Sequence, residues 1–442
     1  MRFWESGRTA LTDFPLRFRR QVSQGVYRAE IDGLRFFAIL FVIFGHSLER
    51  AERMFPASQA WLTGSRLGDF LQIAPPGVML FFAISGFVLA TQAQKASAHP
   101  LSAKFLKSYF GRRILRIEPP YVLLLVATWA FISLTHYTPE GVRRFDVAPA
   151  SLNLSLLGAV FYVHDLVWGT FPRLFPPGWS LEVEVQFYLV APLLFAVWAA
   201  LRGTGERIAL ALLIALCGLN VKLIWPETLG PLHVRYSILN YFSYFWIGVA
   251  LSYLRERVAA RVARMSGGAA TALGWAGLAA FVAFAALAEQ DGLFMEIPRL
   301  LGVYAGLAAV FAAVQDPRSG LAKFCAAPWI SLIGGASYSI YLLHLQTVQM
   351  VFVLAAKIAP GLPFAGVAAL FVVAGAAATV LGLIYYVQIE RRFMARDWPA
   401  QLVAFLRRGR AAPEGVHLVA DNPPATGAVR RAEKRRSAAA RP

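Results

Sequence analysis

Cysteine is nearly missing: the 442 residues hold two, Cys217 and Cys325. Both lie in or beside apolar runs, which excludes a disulfide framework and a thiolate metal site. Charge is scarce as well. Asp, Glu, Lys and Arg make up 15% of the chain, where soluble domains carry about 25%, so a single soluble core of this length is excluded. No internal repeat of fixed period is visible. The first 28 residues hold no apolar stretch that ends at a small-residue cleavage site, so no removable signal peptide is expected. What the chain has in plenty is apolar side chains, with 57% hydrophobic and 13% aromatic residues, which rules out a disordered or fibrous chain. An all-α polytopic bundle remains, with about ten transmembrane spans near the ~20 residues that cross a bilayer as helix.

The predicted spans cover residues 31–48, 70–93, 119–136, 180–201, 208–225, 237–254, 268–288, 297–314, 330–356 and 363–390. A net charge of +18 suggests nucleic acid until the charges are placed along the chain. The termini and alternate loops on their side carry 32 Lys and Arg, and the opposite loops carry 10. The positive-inside rule then predicts a multi-pass protein of the inner cell membrane with both termini cytoplasmic. Three parts follow: a basic N-terminus over 1–28, a transmembrane domain over 29–396, and a tail over 397–442. The tail is rich in Ala, Pro and Arg and reads as a disordered basic segment at an anionic lipid surface, not as a nucleic-acid arm. Segment 102–117 mixes Phe, Leu and Ile with Lys and Arg, the composition of an interfacial helix. The stretch SLNLSLLGAVFYV, within the longest outer loop, predicts a short re-entrant or interfacial helix.

Ionisable groups inside a span cost at least ~2.5–3.5 kcal/mol each, so each is a functional candidate. The first span contains Asp32, Arg35 and His46. Eleven residues at about 100° each bring Arg35 and His46 to one helix face, about 16 Å apart, with Asp32 one turn from Arg35. A snorkelling Arg and a His at the headgroups is the plain reading; a polar stripe along a cavity is the sharper one. In the fourth span Glu184, Tyr188 and Pro192 share a stripe, Glu182 points elsewhere, and Trp179 sits like an interface anchor. In the ninth span Ser337, Tyr341 and His344 share a face, beside Gly334 and Gly335 that permit close helix approach. A structural His344, hydrogen-bonded between helices, competes there with a catalytic one. No metal is expected, because two His on separate spans lack a third ligand at a recognisable spacing.

Five strings occur in order: YRAEIDGLRFFAILFVIFGH, PPGVMLFFAISGFVLA, YFGRRILRIEPPY, WSLEVEVQFYLVAP and ASYSIYLLH, with VQIERRF near 390. With them the sequence resembles the acyltransferase-3 family, integral membrane O-acyltransferases that modify bacterial surface sugars. The family's Arg-ten residues-His pattern falls on Arg35 and His46, and its Arg-x-x-Arg on Arg113 and Arg116. Its Trp-Ser-Leu-x-x-Glu falls on Trp179, Ser180, Leu181 and Glu184, and SYSIYLxH ends at His344. Glu118, Val185 and Arg392 depart from the usual aromatic, acidic and Pro residues, which bears on the acceptor more than on the fold. Some relatives add an esterase-like C-terminal domain; the 46 residues of the tail are too few for one.

The resemblance implies acyl transfer, commonly acetyl, from cytoplasmic acyl-CoA to a hydroxyl of an exported or cell-surface saccharide or lipid-linked glycan. Acyl-CoA is then a substrate, and no permanently bound cofactor is expected. His46 is the expected base, or in a second role a covalent acyl carrier. Glu184 is expected to orient a protonated His or hold the sugar. Arg35, Arg113 and Arg116 are expected to bind the CoA phosphates, which guanidinium groups grip bidentately. Asp32, Ser85, Trp179, Ser337, Tyr338 and His344 are assigned to the acceptor pocket or to structure. The competing class is a proton-coupled transporter or flippase that uses His46 and Glu184 as relay groups.

Overall fold

A computed structural model describes residues 14–20, 27–59, 76–96, 99–137, 151–201, 231–287 and 293–394, short pieces between 203 and 229, and residues 149 and 398. Backbone groups in hydrocarbon must find partners within their own segment, which favours helices. Helices dominate the described residues. They are α1 (Ala29–Met54), α2 (Pro76–Lys95), α3 (Ala103–Thr135), α4 (Leu152–Val160), α5 (His164–Trp168), α6 (Gly178–Ala200) and α7 (Ile238–Val262). Then come α8 (Gly267–Ala286), α9 (Leu293–Ala313), α10 (Gly320–Ala326), α11 (Pro328–Gly335), α12 (Ser337–Ile358) and α13 (Phe364–Tyr385). A π-helical turn, Tyr386–Glu390, extends α13. The only strands among the described residues are the two-residue pair Thr228–Leu229 and Leu232–His233.

Among the described residues, eight helices are long and apolar enough to cross a membrane: α1, α2, α3, α6, α8, α9, α12 and α13 with its extension. The span predicted over 237–254 appears as α7, whose second half carries Arg255, Glu256, Arg257 and Arg261. The span predicted over 208–225 lies mostly outside the described residues. The protein is thus an all-α polytopic bundle. The basic segment 102–117 and the following span form one helix, α3, rather than two, although Pro119 and Pro120 lie inside it. A proline pair removes two N–H donors; here the Tyr338 and Tyr385 hydroxyls donate to the Ile117 and Pro120 carbonyls beside it, each at 2.7 Å. The stretch from 151 forms α4, with the Ser151 side chain accepting from the Leu154 N–H.

α1 lies among α2, α10, α11, α12 and α13, so its polar side chains face protein on most sides. Two close crossings fix this core. Gly86 of α2 meets the Phe245 carbonyl of α7, and Gly248 of α7 meets the Ala83 carbonyl of α2, so a Cβ at either would strike backbone. Gly334 of α11 rests likewise on the Asp32 carbonyl of α1. Phe245 also stacks between Phe82 and Phe187, with ring centroids 4.3 and 4.1 Å away, and ties α2, α6 and α7 together.

Candidate active site

α1 is unbroken from Ala29 to Met54, so Arg35 and His46 keep the register that eleven residues impose. Near the far end, His46 Nδ1 lies 3.2 Å from Glu49 Oε2. A carboxylate only accepts, so the hydrogen of this contact is on Nδ1. Glu49 is itself held by Arg50 at 2.8 Å and Arg53 at 2.9 Å. The His46 ring faces the His344 ring of α12, centroids 5.1 Å apart at 40°. His344 is fully buried. Its Nδ1 lies 2.5 Å from the Tyr341 carbonyl, and its Nε2 has no partner. The bond expected between helices is therefore made within α12. Tyr341 anchors this turn: its hydroxyl meets Ser180 Oγ at 2.8 Å and donates to the Pro177 carbonyl. His46 is the accessible member, with a side chain 32% exposed.

The near end of α1 is a second cluster. Asp32 is buried, and its Oδ1 lies 2.5 Å from Arg35 Nη1 and 3.7 Å from Arg20 Nη1. Arg116 Nη2 of α3 lies 3.5 Å from Glu390 Oε1, while Ser339 Oγ donates to Glu390 Oε2 at 2.7 Å. Glu390 closes the π-helical turn, a distortion frequent at functional sites.

Arg113 does not join Arg35 and Arg116. It is buried, its guanidinium lies 3.6 Å over the Tyr109 ring, and it donates to the Tyr109 carbonyl at 2.6 Å. The Tyr188 ring is 5.3 Å away on its other flank. Tyr188 OH and Ser85 Oγ both donate to Glu184 Oε1, each at 2.6 Å. Ser85, Glu184 and Arg113 thus form one interior group across α2, α3 and α6. Glu184 is bonded there and not to either histidine.

The remaining candidates make contacts within the bundle. Tyr338 braces α3 as described. Trp179 packs against Tyr236 and Tyr241, ring centroids 5.0 and 5.2 Å away. Ser337 is buried in the first turn of α12. Glu182, set apart from Glu184 in the sequence, is fully buried and accepts the backbone N–H groups of His164 and Asp165 at 3.2 and 3.0 Å. That caps α5 in the loop before α6. His164 in this loop bonds Ser155 Oγ at 3.0 Å and the Thr170 carbonyl at 2.8 Å. Burial, with a smaller push from Arg173, lowers its pKa to about 4, so it is neutral at pH 7. Sequence reasoning missed Glu49 and Glu390. Glu49 was legible as a carboxylate three residues after His46, one helical turn on.

A family model described as an acyltransferase domain matches residues 28–387. Nodulation protein 10 of Rhizobium leguminosarum bv. viciae is 27% identical over 44% of this chain and 50% of its own length. A peptidoglycan O-acetyltransferase of Listeria monocytogenes is 25% identical over 73% of this chain and 50% of its own. A Komagataeibacter xylinus protein that bears the name of a membrane-bound transacylase is 24% identical over 82% of both chains. The chain thus spans about half the length of the first two relatives. No solved structure matches it.

Proposed function

We propose that this chain, which belongs to the acyltransferase family, moves an acyl group, commonly acetyl, from acyl-CoA to a hydroxyl of a saccharide acceptor. The observation that carries the reading is one helix with two unlike ends: Arg35 in a charged cluster, and His46 on the same face beside a second imidazole. Acyl transfer asks for both. The donor is a polyanion, and guanidinium groups match phosphates. The acceptor is a hydroxyl, which must lose a proton as it attacks.

In this mechanism Arg35 and Arg116 hold the phosphates of CoA at the near end. The pantetheine arm runs along α1 and brings the thioester towards His46. Nε2 of His46 takes the proton of the acceptor hydroxyl, the oxygen attacks the thioester carbonyl, and the C–S bond breaks. The imidazolium then returns the proton to the departing thiolate, so free CoA leaves as the thiol. Glu49, 46% exposed and bonded to Nδ1, orients the ring and meets its positive charge. In the variant route the acyl group rests on His46 Nε2 before the hydroxyl attacks. Arg113 and Glu184, both set against Tyr188, act as interior supports. The count of 32 basic residues against 10 supports a cytoplasmic donor end and an inner-membrane location. The names of the relatives support a glycan acceptor.

The test uses the purified full chain in nanodiscs with acetyl-CoA labelled in the acetyl group and a panel of bacterial glycans. Label should appear on at least one glycan with stoichiometric release of thiol. Acid-quenched protein carrying label would select the acyl-imidazole route. Thiol release that no glycan accelerates, or none at all, would overturn the reading.

A further inference from the structure

The segment before α1 is not used by the mechanism above, yet it is tied down at several points. The Tyr386 hydroxyl donates to the Phe18 carbonyl at 3.1 Å, and Arg391 Nη2 donates to the Arg17 carbonyl at 3.0 Å. The Arg391 guanidinium also lies 5.8 Å over the Phe18 ring, and Phe14 packs on Phe18 and Trp329 at 5.1 and 6.0 Å. Residues 14–20 therefore form a strap clipped to the π-helical turn at one end of α13 and to the start of α11. At the end of the strap Arg20 enters the near cluster. Its Nη1 is 3.7 Å from Asp32 Oδ1, the oxygen that Arg35 already holds at 2.5 Å. A methyl placed at Gly335 would lie 3.6 Å from Asp32 Oδ2 and 3.7 Å from Arg20 Cβ, so the α11 end closes one wall.

Three guanidinium groups, Arg20, Arg35 and Arg116, thus share a region with two carboxylates, Asp32 and Glu390. The charge balance is positive by one. Arg20 feels Arg116 more strongly than any other single charge, and burial together with this repulsion lowers its pKa to about 9. A guanidinium stays ionised in a protein, so the site holds a cation against both desolvation and a like charge. A multivalent anion would relieve both. Side-chain exposures of 14%, 15% and 32% for Arg20, Arg35 and Arg116 leave the arginines within reach of a ligand, whereas Asp32 and Glu390 are at 5% and 0%.

We propose that the N-terminal strap supplies Arg20 as the third arm of a phosphate site with Arg35 and Arg116, a role that falls to Arg20 in place of the separated Arg113. The ligand chemistry is a cluster of phosphate oxygens, such as the diphosphate and 3′-phosphate of CoA. An anionic lipid headgroup offers the same oxygens. The proposal deepens the donor reading above and rests on it, since CoA is the phosphate-bearing substrate that reading names. It also gives Tyr386 and Arg391 a purpose: they hold the strap in register so that its last residue points at the cluster.

The test is CoA titration of the full chain in nanodiscs of phosphatidylcholine, repeated with phosphatidylglycerol. Arg20→Ala should weaken CoA about tenfold, as loss of one charge-assisted contact does, and Arg20→Lys should recover part of it. Tyr386→Phe, which removes the clip and no charge, should weaken CoA about threefold and serves as the check if Arg20→Ala fails to fold. Titration with 3′-dephospho-CoA should lose affinity in the wild type. CoA affinity in the wild type should be equal in the two lipids. A wild type that binds CoA with Arg20→Ala and Tyr386→Phe unchanged would overturn this proposal and leave the donor reading standing. A wild type that binds no CoA would overturn both. Competition by phosphatidylglycerol that vanishes in Arg20→Ala would give the site to lipid and overturn the assignment to CoA.

Discussion

At the near end of α1, charge meets charge: Asp32 faces Arg35 and Arg20, and Glu390 faces Arg116. Fourteen residues further along the helix, two imidazole rings meet instead, and the Nε2 of His344 has no partner. On the proposed mechanism the first arrangement binds the donor's phosphates. Its arginines are partly exposed, so a multivalent anion can share them without stripping the buried carboxylates of all partners. The second is proposed to move a proton, with each Nδ1 facing an acceptor. Recognition and chemistry would then lie about 16 Å apart on one helix, between Arg35 and His46, and the two functions should be separable by mutation.

The sharpest break is His46→Ala. Removal of a positioned base lowers rate by ~10²–10⁴-fold, so acyl transfer should be lost in a labelled-acetyl assay while CoA titration stays at the wild-type value. If CoA binding falls together with activity, the two ends are not separate. Next in size is Glu49→Gln, which keeps the shape and removes the charge from Nδ1. A loss of about tenfold in kcat with KM for acetyl-CoA unchanged is expected, with Glu49→Asp recovering part. An effect on KM alone would place Glu49 at the donor end. Smaller is the contrast between the two arginines of α3. Arg116→Ala should weaken CoA about tenfold and leave kcat at saturating donor intact. Arg113→Ala should change CoA affinity less than threefold but lower the unfolding temperature, because it strips the Tyr109 ring of a buried cation. Equal losses of affinity would return Arg113 to the phosphate site.

The smallest effect lies outside both ends, in the loop that α5 and Glu182 fasten. His164 has a folded pKa of about 4 against an ordinary value near 6.5, so the unfolded loop binds the extra proton. Stability contributed by the neutral ring is therefore present above about pH 6.5 and is lost as pH falls towards 4. Limited proteolysis between residues 151 and 177 should quicken over that range, and His164→Gln should flatten the dependence. Cleavage independent of pH would remove His164 as the cause.

The register of Arg35 and His46 was legible because an α-helix fixes angle and rise per residue, and the bilayer leaves a long apolar run little choice but helix. Arg113 and Arg116 were paired by the resemblance, not by register, and about 60° of rotation between them buries the first against Tyr109 and leaves the second 32% exposed. Arg20 lies before the first span and Glu390 within the last, and nothing in their spacing reveals that the first reaches Asp32 and the second Arg116. Arg299, within the span predicted over 297–314, is buried in α9, with Nε 2.7 Å from Glu296 Oε2. Pairs three residues apart on one helix can be anticipated, whereas proximity between helices depends on packing that one sequence does not spell out.

The contact between Gly334 and the Asp32 carbonyl makes α1 a lever. Its pivot sits beside the donor cluster, and His46 rides fourteen residues away, about 21 Å along the arm. A side chain at Gly334 would have to push the backbone of α1 aside. A tilt of about 3° at that fulcrum would carry the imidazole sideways by about 1 Å, and a misplacement of that size can cost ~10²-fold in rate. On the proposed mechanism, small motions at the arginine end would be magnified at His46, so the arrival of the donor would be felt mechanically where the acceptor is deprotonated.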